Sequence, residues 1–177
     1  TAFRRKIAVP STAPLVGRIG GRSEFSDPAA QKAVGTLVES LPGIFFCFVN
    51  TEPFLDHPRV KYVDYLNEQE KWDFYAAGDV FLNGRLQGES FGFSIVEPLS
   101  IGKPVIAPAQ NRNPRMDKNH LVVLRGSGLT YRNSTDLMQI IGRELEEKRN
   151  PDSLRTLVND FLPGNVAKRF QSVFLKE

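Results

Sequence analysis

Short, nearly continuous apolar runs separated by amphipathic stretches constrain this chain more than any other feature. "PLVGR" (14–18), "IFFCFVN" (44–50), "VKYVDY" (60–65), "DVFLNG" (79–84), "KPVIAP" (103–108) and "LVVL" (121–124) have the length and residue types of strands. Between them, "PAAQKAVGTLVESL" (28–41), "NEQEKWDFYAAG" (67–78) and "FSIVEPLSIG" (93–102) read as helices. In the first helix, Ala30, Val34, Leu37, Val38 and Leu41 recur at helical spacing and define one apolar face. Pro28 opens that helix and a Pro-Gly pair follows it. Strands that lack polar alternation are buried on both faces, and strands joined through helices pair in parallel by right-handed crossovers. The expected architecture is an open, mostly parallel α/β sheet with helices on both faces.

After residue 130 the pattern becomes helical, with "STDLMQIIGRELEEKR", "PDSLRTLVNDFL" and "NVAKRFQSVFL" in succession; Ser134 and Asp136 suit the start of the first. The expected organisation is one domain: a leader at 1–13, an α/β core at 14–131 and C-terminal helices at 132–177. The leader carries "FRRK" (3–6), read as a solvated basic cluster. Residue 1 is Thr rather than Met, which reads as a processed or excised piece.

In such a sheet, ligands bind outside the carboxyl ends of the strands. Two loops leave strands in that direction. The first, "GRIGGRSEF" (17–25), carries Gly17, Gly20, Gly21, Arg18 and Arg22. Glycines let backbone amides approach a diphosphate, and guanidinium groups pair with phosphate oxygens in a forked geometry. A flexible surface turn with solvated arginines is the plainer reading. The spacing is neither G-x-G-x-x-G nor a P-loop, which disfavours a dinucleotide-dependent oxidoreductase.

The second loop, "GRLQGESFGF" (84–93), ends a strand and opens a helix. Unpaired amides at Ser90, Phe91, Gly92 and Phe93, with the positive end of the helix dipole, suit a phosphate. Glu89 and Glu97 are awkward beside a phosphate but useful beside a sugar, whose hydroxyls need acceptors. Glu97 has a second reading: Ser94-Ile95-Val96-Glu97 fits a capping box.

Taken in order, "PLVGRIGGRSEFSDP", "FYAAGDVFLNG" and "GESFGFSIVEPLSIGKPVIA" resemble the signature of retaining glycosyltransferases of family 4 over roughly residues 14–131. The resemblance implies a Rossmann-like carboxyl-terminal, donor-binding half of a GT-B fold. Arg18 would then hold the diphosphate, and Arg22 would stand where the family has a lysine. Amides at 90–93 would assist, Glu97 would accept from ribose hydroxyls, and backbone near Tyr65 and Leu66 would read the base. Glu89 would lie by the transferred sugar, orienting it and stabilising charge at the anomeric carbon. The donor would be a UDP- or GDP-linked sugar, used without a metal. The acceptor-binding half would come from outside these residues, and the acceptor would be a glycan, lipid or protein. Pro98 departs from the family's alanine. A non-catalytic nucleotide-binding module of the same fold is the alternative.

Composition restricts the setting. The net charge of +3 suits an anionic ligand or an acidic membrane face, and no basic stripe interleaved with aromatics supports nucleic-acid binding. Cys47, the one cysteine, cannot form an internal disulfide and reads as a small buried hydrophobe, compatible with the cytoplasm. No apolar run approaches the roughly 18 residues of a membrane span. His57 and His120 lack clustered ligand partners and read as surface or structural residues rather than metal ligands.

Overall fold

The computed structural model describes residues 1–110 and 117–175. Six parallel strands, β1 (Leu15–Ile19), β2 (Phe45–Val49), β3 (Val60–Val63), β4 (Val80–Leu82), β5 (Val105–Pro108) and β6 (Thr130–Tyr131), form one sheet in the order β3-β2-β1-β4-β5-β6. β4 and β5 are buried at every position, and β1 and β2 at all but one each, which is why the sequence writes them as apolar runs. The chain steps from β1 out to β3, returns to β4 and continues to β6. The order therefore reverses between β1 and β4, the position at whose carboxyl edge sheets of this kind take their ligands.

Helix α2 (Pro28–Ser40) begins at Asp27, whose Oδ1 accepts from the Ala29 amide at 2.9 Å. Its buried face comprises Ala30, Ala33, Val34, Leu37 and Val38, while Leu41 caps the end and is exposed. The second Asp27 oxygen accepts from the buried Tyr131 hydroxyl at 2.6 Å, tying β6 to α2. Helix α3 (Glu68–Ala77) starts with a complete capping box between Asn67 and Glu70. Helix α4 (Phe93–Ser100) crosses from β4 to β5, and α6 (Ser134–Glu147) packs on α2. Right-handed crossovers set α2 and α3 on opposite faces of the sheet. Phe46, Phe48, Phe74, Tyr75 and Phe81 fill the core between the layers. Gly17 serves this packing, since a Cβ there would stand 2.5 Å from the Phe81 ring.

The "LVVL" segment is not a strand. It lies in and just after helix α5 (Asn119–Val123), and the sixth strand is the two-residue β6 instead. A four-residue apolar run cannot distinguish a strand from a half-buried helix, and Val122 is exposed while Val123 and Leu124 are buried. "FRRK" is solvated only in part, with Arg5 and Lys6 exposed but Phe3 and Arg4 buried. It forms α1 (Ala2–Lys6), which packs on α3 with the Phe3 ring 5.4 Å from that of Phe74. Arg4 is buried and donates to Ala13 O at 2.6 Å, Ala77 O at 2.9 Å and Asp79 Oδ2 at 2.8 Å. With Pro10 O at 3.1 Å, four acceptors converge from two separate segments, so the residue is desolvated and satisfied together. The cap of α6 is Asn133 rather than Ser134; its Oδ1 accepts from the Asp136 amide at 2.9 Å. Helices α7 (Pro151–Leu157) and α8 (Pro163–Phe174) follow, joined by a 3-10 turn at Asn159–Phe161. α8 buries none of its residues and leaves Val166, Phe170, Val173 and Phe174 exposed. No helix among the described residues is long and apolar enough to cross a membrane.

His120 on α5 is buried, with Nε2 3.2 Å from Pro108 O and Nδ1 unpartnered among the described residues. Burial holds its imidazole below the usual range, against the opposing pull of the Pro108 carbonyl and Glu89. The unfolded chain therefore takes up this proton first, so stability falls as pH drops through about 6.5 toward the lowered folded value. Urea melts from pH 7 to 5 are expected to lose part of this slope in His120→Gln; an unchanged slope would exclude His120 as its source.

Candidate active site at the β1/β4 crevice

Arg18 occupies the end of β1 with only 3% of its surface exposed. Its guanidinium turns back under the following loop. Nη1 donates to Thr51 Oγ1 at 2.6 Å and to Asn50 O at 3.2 Å, and Nη2 donates to Gly21 O at 3.1 Å. Gly20 makes the turn possible, because a Cβ there would stand 2.5 Å from Nη2. Asn50 ends β2 at φ 47°, and its Nδ2 fixes Gly20 O at 2.9 Å. All three acceptors of Arg18 are neutral oxygens. Burial lowers its pKa to about 10, offset in part by the charges of Glu24 and Glu89, so it remains a cation at neutral pH. A desolvated cation without an ionic partner costs stability, and an incoming anion would relieve that cost.

The loop after β4 supplies the facing wall. Glu89 is 7% exposed; Oε1 accepts from Asn83 Nδ2 at 2.9 Å, and Oε2 lies 3.4 Å from Arg85 Nη1. The Glu89 backbone is pinned to the α5 entry, with its amide on Asp117 O at 3.1 Å and its carbonyl accepting from the Asn119 amide at 3.3 Å. Asn119 Nδ2 also donates to Ser90 O. Gly92, at φ 77°, turns the chain into α4, a left-handed conformation that a side chain would strain. No side chain caps this helix, and its opening amides at Phe93 and Ser94 have no intrahelical acceptor.

The two loops meet. The Asp27 amide donates to Gly84 O at 3.2 Å, and Ser26 Oγ donates to Gln87 Oε1 at 3.3 Å. Arg85 stands between them, with Nη2 3.3 Å from Glu24 Oε1 and Nη1 near Glu89. The structure thus brings together Arg18, Gly20, Gly21, Glu89 and the entrance of α4. Arg22 lies apart, exposed and 3.9 Å from Asp64. Tyr65 is exposed and Leu66 buried where β3 leads to α3. Phe91 and Phe93 are exposed, their rings 4.7 Å apart.

Glu97 does not close a capping box. The helix starts at Phe93, so Ser94 lies inside it, and the carboxylate reaches across to α3 instead. Lys71 Nζ donates to it at 2.7 Å and the Tyr75 hydroxyl at 2.9 Å. Burial and Glu97 push the Tyr75 hydroxyl far above its usual range; in Lys71, burial acts downward but its bonds to Glu97 and Glu68 prevail. Asn50, Thr51, Asn83 and Arg85 were not singled out by the sequence. Asparagines that end strands were a signal for two of them, since Asn tolerates turn conformations there.

No protein-family model matches the chain, and no curated protein matches it in sequence. Solved structures match its shape. HepE of Anabaena, in complex with UDP-glucose, superposes with a TM-score of 0.71 at 17% identity, over 97% of this chain and 52% of that one. Sucrose-phosphate synthase of Thermosynechococcus elongatus gives 0.60 at 20%, over 97% and 44%. The C-terminal domain of a group 1 glycosyl transferase, LpcC of Francisella tularensis, gives 0.64 at 14%, over 89% of each. This is one half of a GT-B fold. The GT-B half-domain spans about half the length of HepE and of sucrose-phosphate synthase. One depression lies along α8 beside Phe91 and another at the amino ends of the strands around Pro14, Asp79 and Pro104; neither is lined by Arg18 or Glu89. Among the described residues no cluster of three metal-ligating side chains occurs.

Proposed function

We propose that this GT-B half-domain is the donor side of a retaining family 4 glycosyltransferase. It takes a UDP- or GDP-linked sugar, without a metal, and the assembled enzyme moves the hexose to an acceptor hydroxyl. One observation carries the reading: a buried arginine with only neutral partners lies beside an uncapped helix entrance at the strand-order reversal. HepE, solved with UDP-glucose and with UDP, supports the ligand class. Arg18 and the amides from Ser90 to Phe93 receive the diphosphate and stabilise the charge that grows on it as the leaving group departs. Glu89 accepts from sugar hydroxyls and faces the positive charge at the anomeric carbon. Attack then comes from the face the diphosphate leaves, assisted by that phosphate. Glu97 serves the ribose, at the cost of its bonds to Lys71 and Tyr75, and backbone near Tyr65 and Leu66 meets the base. The acceptor half is supplied by residues outside these 177 or by another subunit, in the cytoplasm or at a membrane surface.

A thermal-shift panel of UDP, GDP, ADP and TDP, their sugar conjugates and NAD tests this. At least one sugar nucleotide at 100 times its Kd should add about 2.7 kcal/mol of stability. A shift with NAD and none with any sugar nucleotide would overturn it.

A further inference from the structure

The donor reading leaves a charge problem in the crevice. A nucleotide-diphosphate sugar brings two negative charges to a place that already holds Glu24 and Glu89, and Arg18 alone does not balance them. Arg22, which the family resemblance offered as the second cation, is exposed to solvent and pairs with Asp64 at 3.9 Å. Arg85 is better placed. It springs from the carboxyl end of β4, directly across the strand-order reversal from Arg18, and close enough for the two charges to repel.

Arg85 is also loosely held. Its contacts, 3.3 Å to Glu24 and 3.4 Å to Glu89, are long for charge-assisted bonds. The arginine–carboxylate pairs elsewhere that have a buried member are shorter, at 2.8 Å for Arg4–Asp79, 3.1 Å for Arg143–Glu144 and 2.6 Å for Arg149–Glu144, whereas the exposed Arg22–Asp64 pair is longer. The Nε of Arg85 is buried and has no acceptor among the described residues. Glu24, in contrast, has a second occupation, since its Oε2 accepts from the Gly21 amide at 2.9 Å.

We infer that Arg85 is the second diphosphate-binding cation, held in waiting by Glu24, and that the diphosphate displaces Glu24 from it while Glu89 stays attached. The inference rests on the proposed sugar-nucleotide reading. Arg85 shares Glu89, which that reading sets beside the sugar, so it meets the phosphate nearer the sugar. Arg18 meets the diphosphate from the β1 side. Binding thereby couples the two halves of the donor: the guanidinium that holds the distal phosphate also aims the Glu89 carboxylate.

The test is calorimetric titration of the 177-residue chain with UDP, GDP and ADP and with the matching monophosphates. Arg85→Gln should weaken the best diphosphate at least about tenfold, the weight of one charge-assisted bond, and its monophosphate by less than about threefold. Glu24→Gln keeps an acceptor for the Gly21 amide but frees Arg85, and should tighten the diphosphate by about threefold or more. That gain separates a phosphate ligand from a mere structural strut, whose loss of a partner could only weaken binding. Unchanged diphosphate affinity in Arg85→Gln, or weakened affinity in Glu24→Gln, would overturn the inference while leaving the donor reading intact, provided Arg18→Met still weakens the diphosphate about 100-fold. If Arg85→Gln does not fold, the Glu24→Gln arm decides alone. Failure of every nucleotide to bind the unaltered chain would overturn both.

Discussion

Glu89→Gln is expected, on the proposed function, to lower kcat of the assembled enzyme by about 10²–10³-fold, the usual weight of one preorganised electrostatic contact at a reacting centre. Nucleotide affinity should stay within about threefold of the unaltered protein, because the proposed role of the carboxylate is toward the sugar rather than the nucleotide. The amide retains an oxygen for Asn83 Nδ2, which now lies 2.9 Å from Oε1. Its NH2 then faces the Arg85 guanidinium, donor against donor, so a modest stability loss of about 1–2 kcal/mol is expected. Measuring kcat, the Kd for UDP and the melting temperature on one preparation separates these effects. Equal turnover in the variant would favour a non-catalytic nucleotide-binding module, which has no use for a buried carboxylate there.

The second large effect is at Arg18. Arg18→Met keeps an apolar stem beside Phe25, whose ring centroid lies 5.8 Å from the guanidinium carbon, and removes the charge. Diphosphate affinity should fall about 100-fold, or about 2.7 kcal/mol, as two charge-assisted contacts disappear. Asn50 O loses this donor and Gly21 O keeps the Glu24 amide at 3.1 Å, but the desolvation cost of the cation disappears with the guanidinium. The two effects oppose, so the melting temperature should move far less than the affinity. Arg18→Lys should recover only part, since an ammonium cannot reach the phosphate, Thr51 and Gly21 in one forked plane. Full affinity in Arg18→Met, with the fold intact, would remove the cation from the account.

What was legible in the sequence follows from locality. β1, β2, β4 and β5 are buried on both faces, so each leaves an apolar run that needs no partner to be recognised. β6 contributes two residues, Thr130 and Tyr131, too few for any pattern, and α5 borrowed the look of a strand from "LVVL". Arg18 and Glu89 were legible because the strand-to-loop transitions around them mark the carboxyl edge of a parallel sheet. Arg4 was not, because its acceptors come from two distant segments, 10–13 and 77–79, that only the folded chain assembles. Arg85 escaped for the same reason: its meaning lies in Glu24, on the other loop. Glu97 shows the converse error. The S-x-x-E spacing was real, but a left-handed Gly92 started the helix before Ser94 and left the glutamate free to bind Lys71 and Tyr75.

Crystals grown with UDP-glucose offer the most direct check that a diphosphate lodges between Arg18 and the entrance of α4. The account predicts phosphate oxygens within hydrogen-bond distance of the Arg18 guanidinium and of an amide among residues 90–94, with the hexose against Glu89. Nucleotide density at the amino ends of the strands, beside Pro14 and Pro104, with Arg18 still bonded only to Thr51, Asn50 and Gly21, would contradict it.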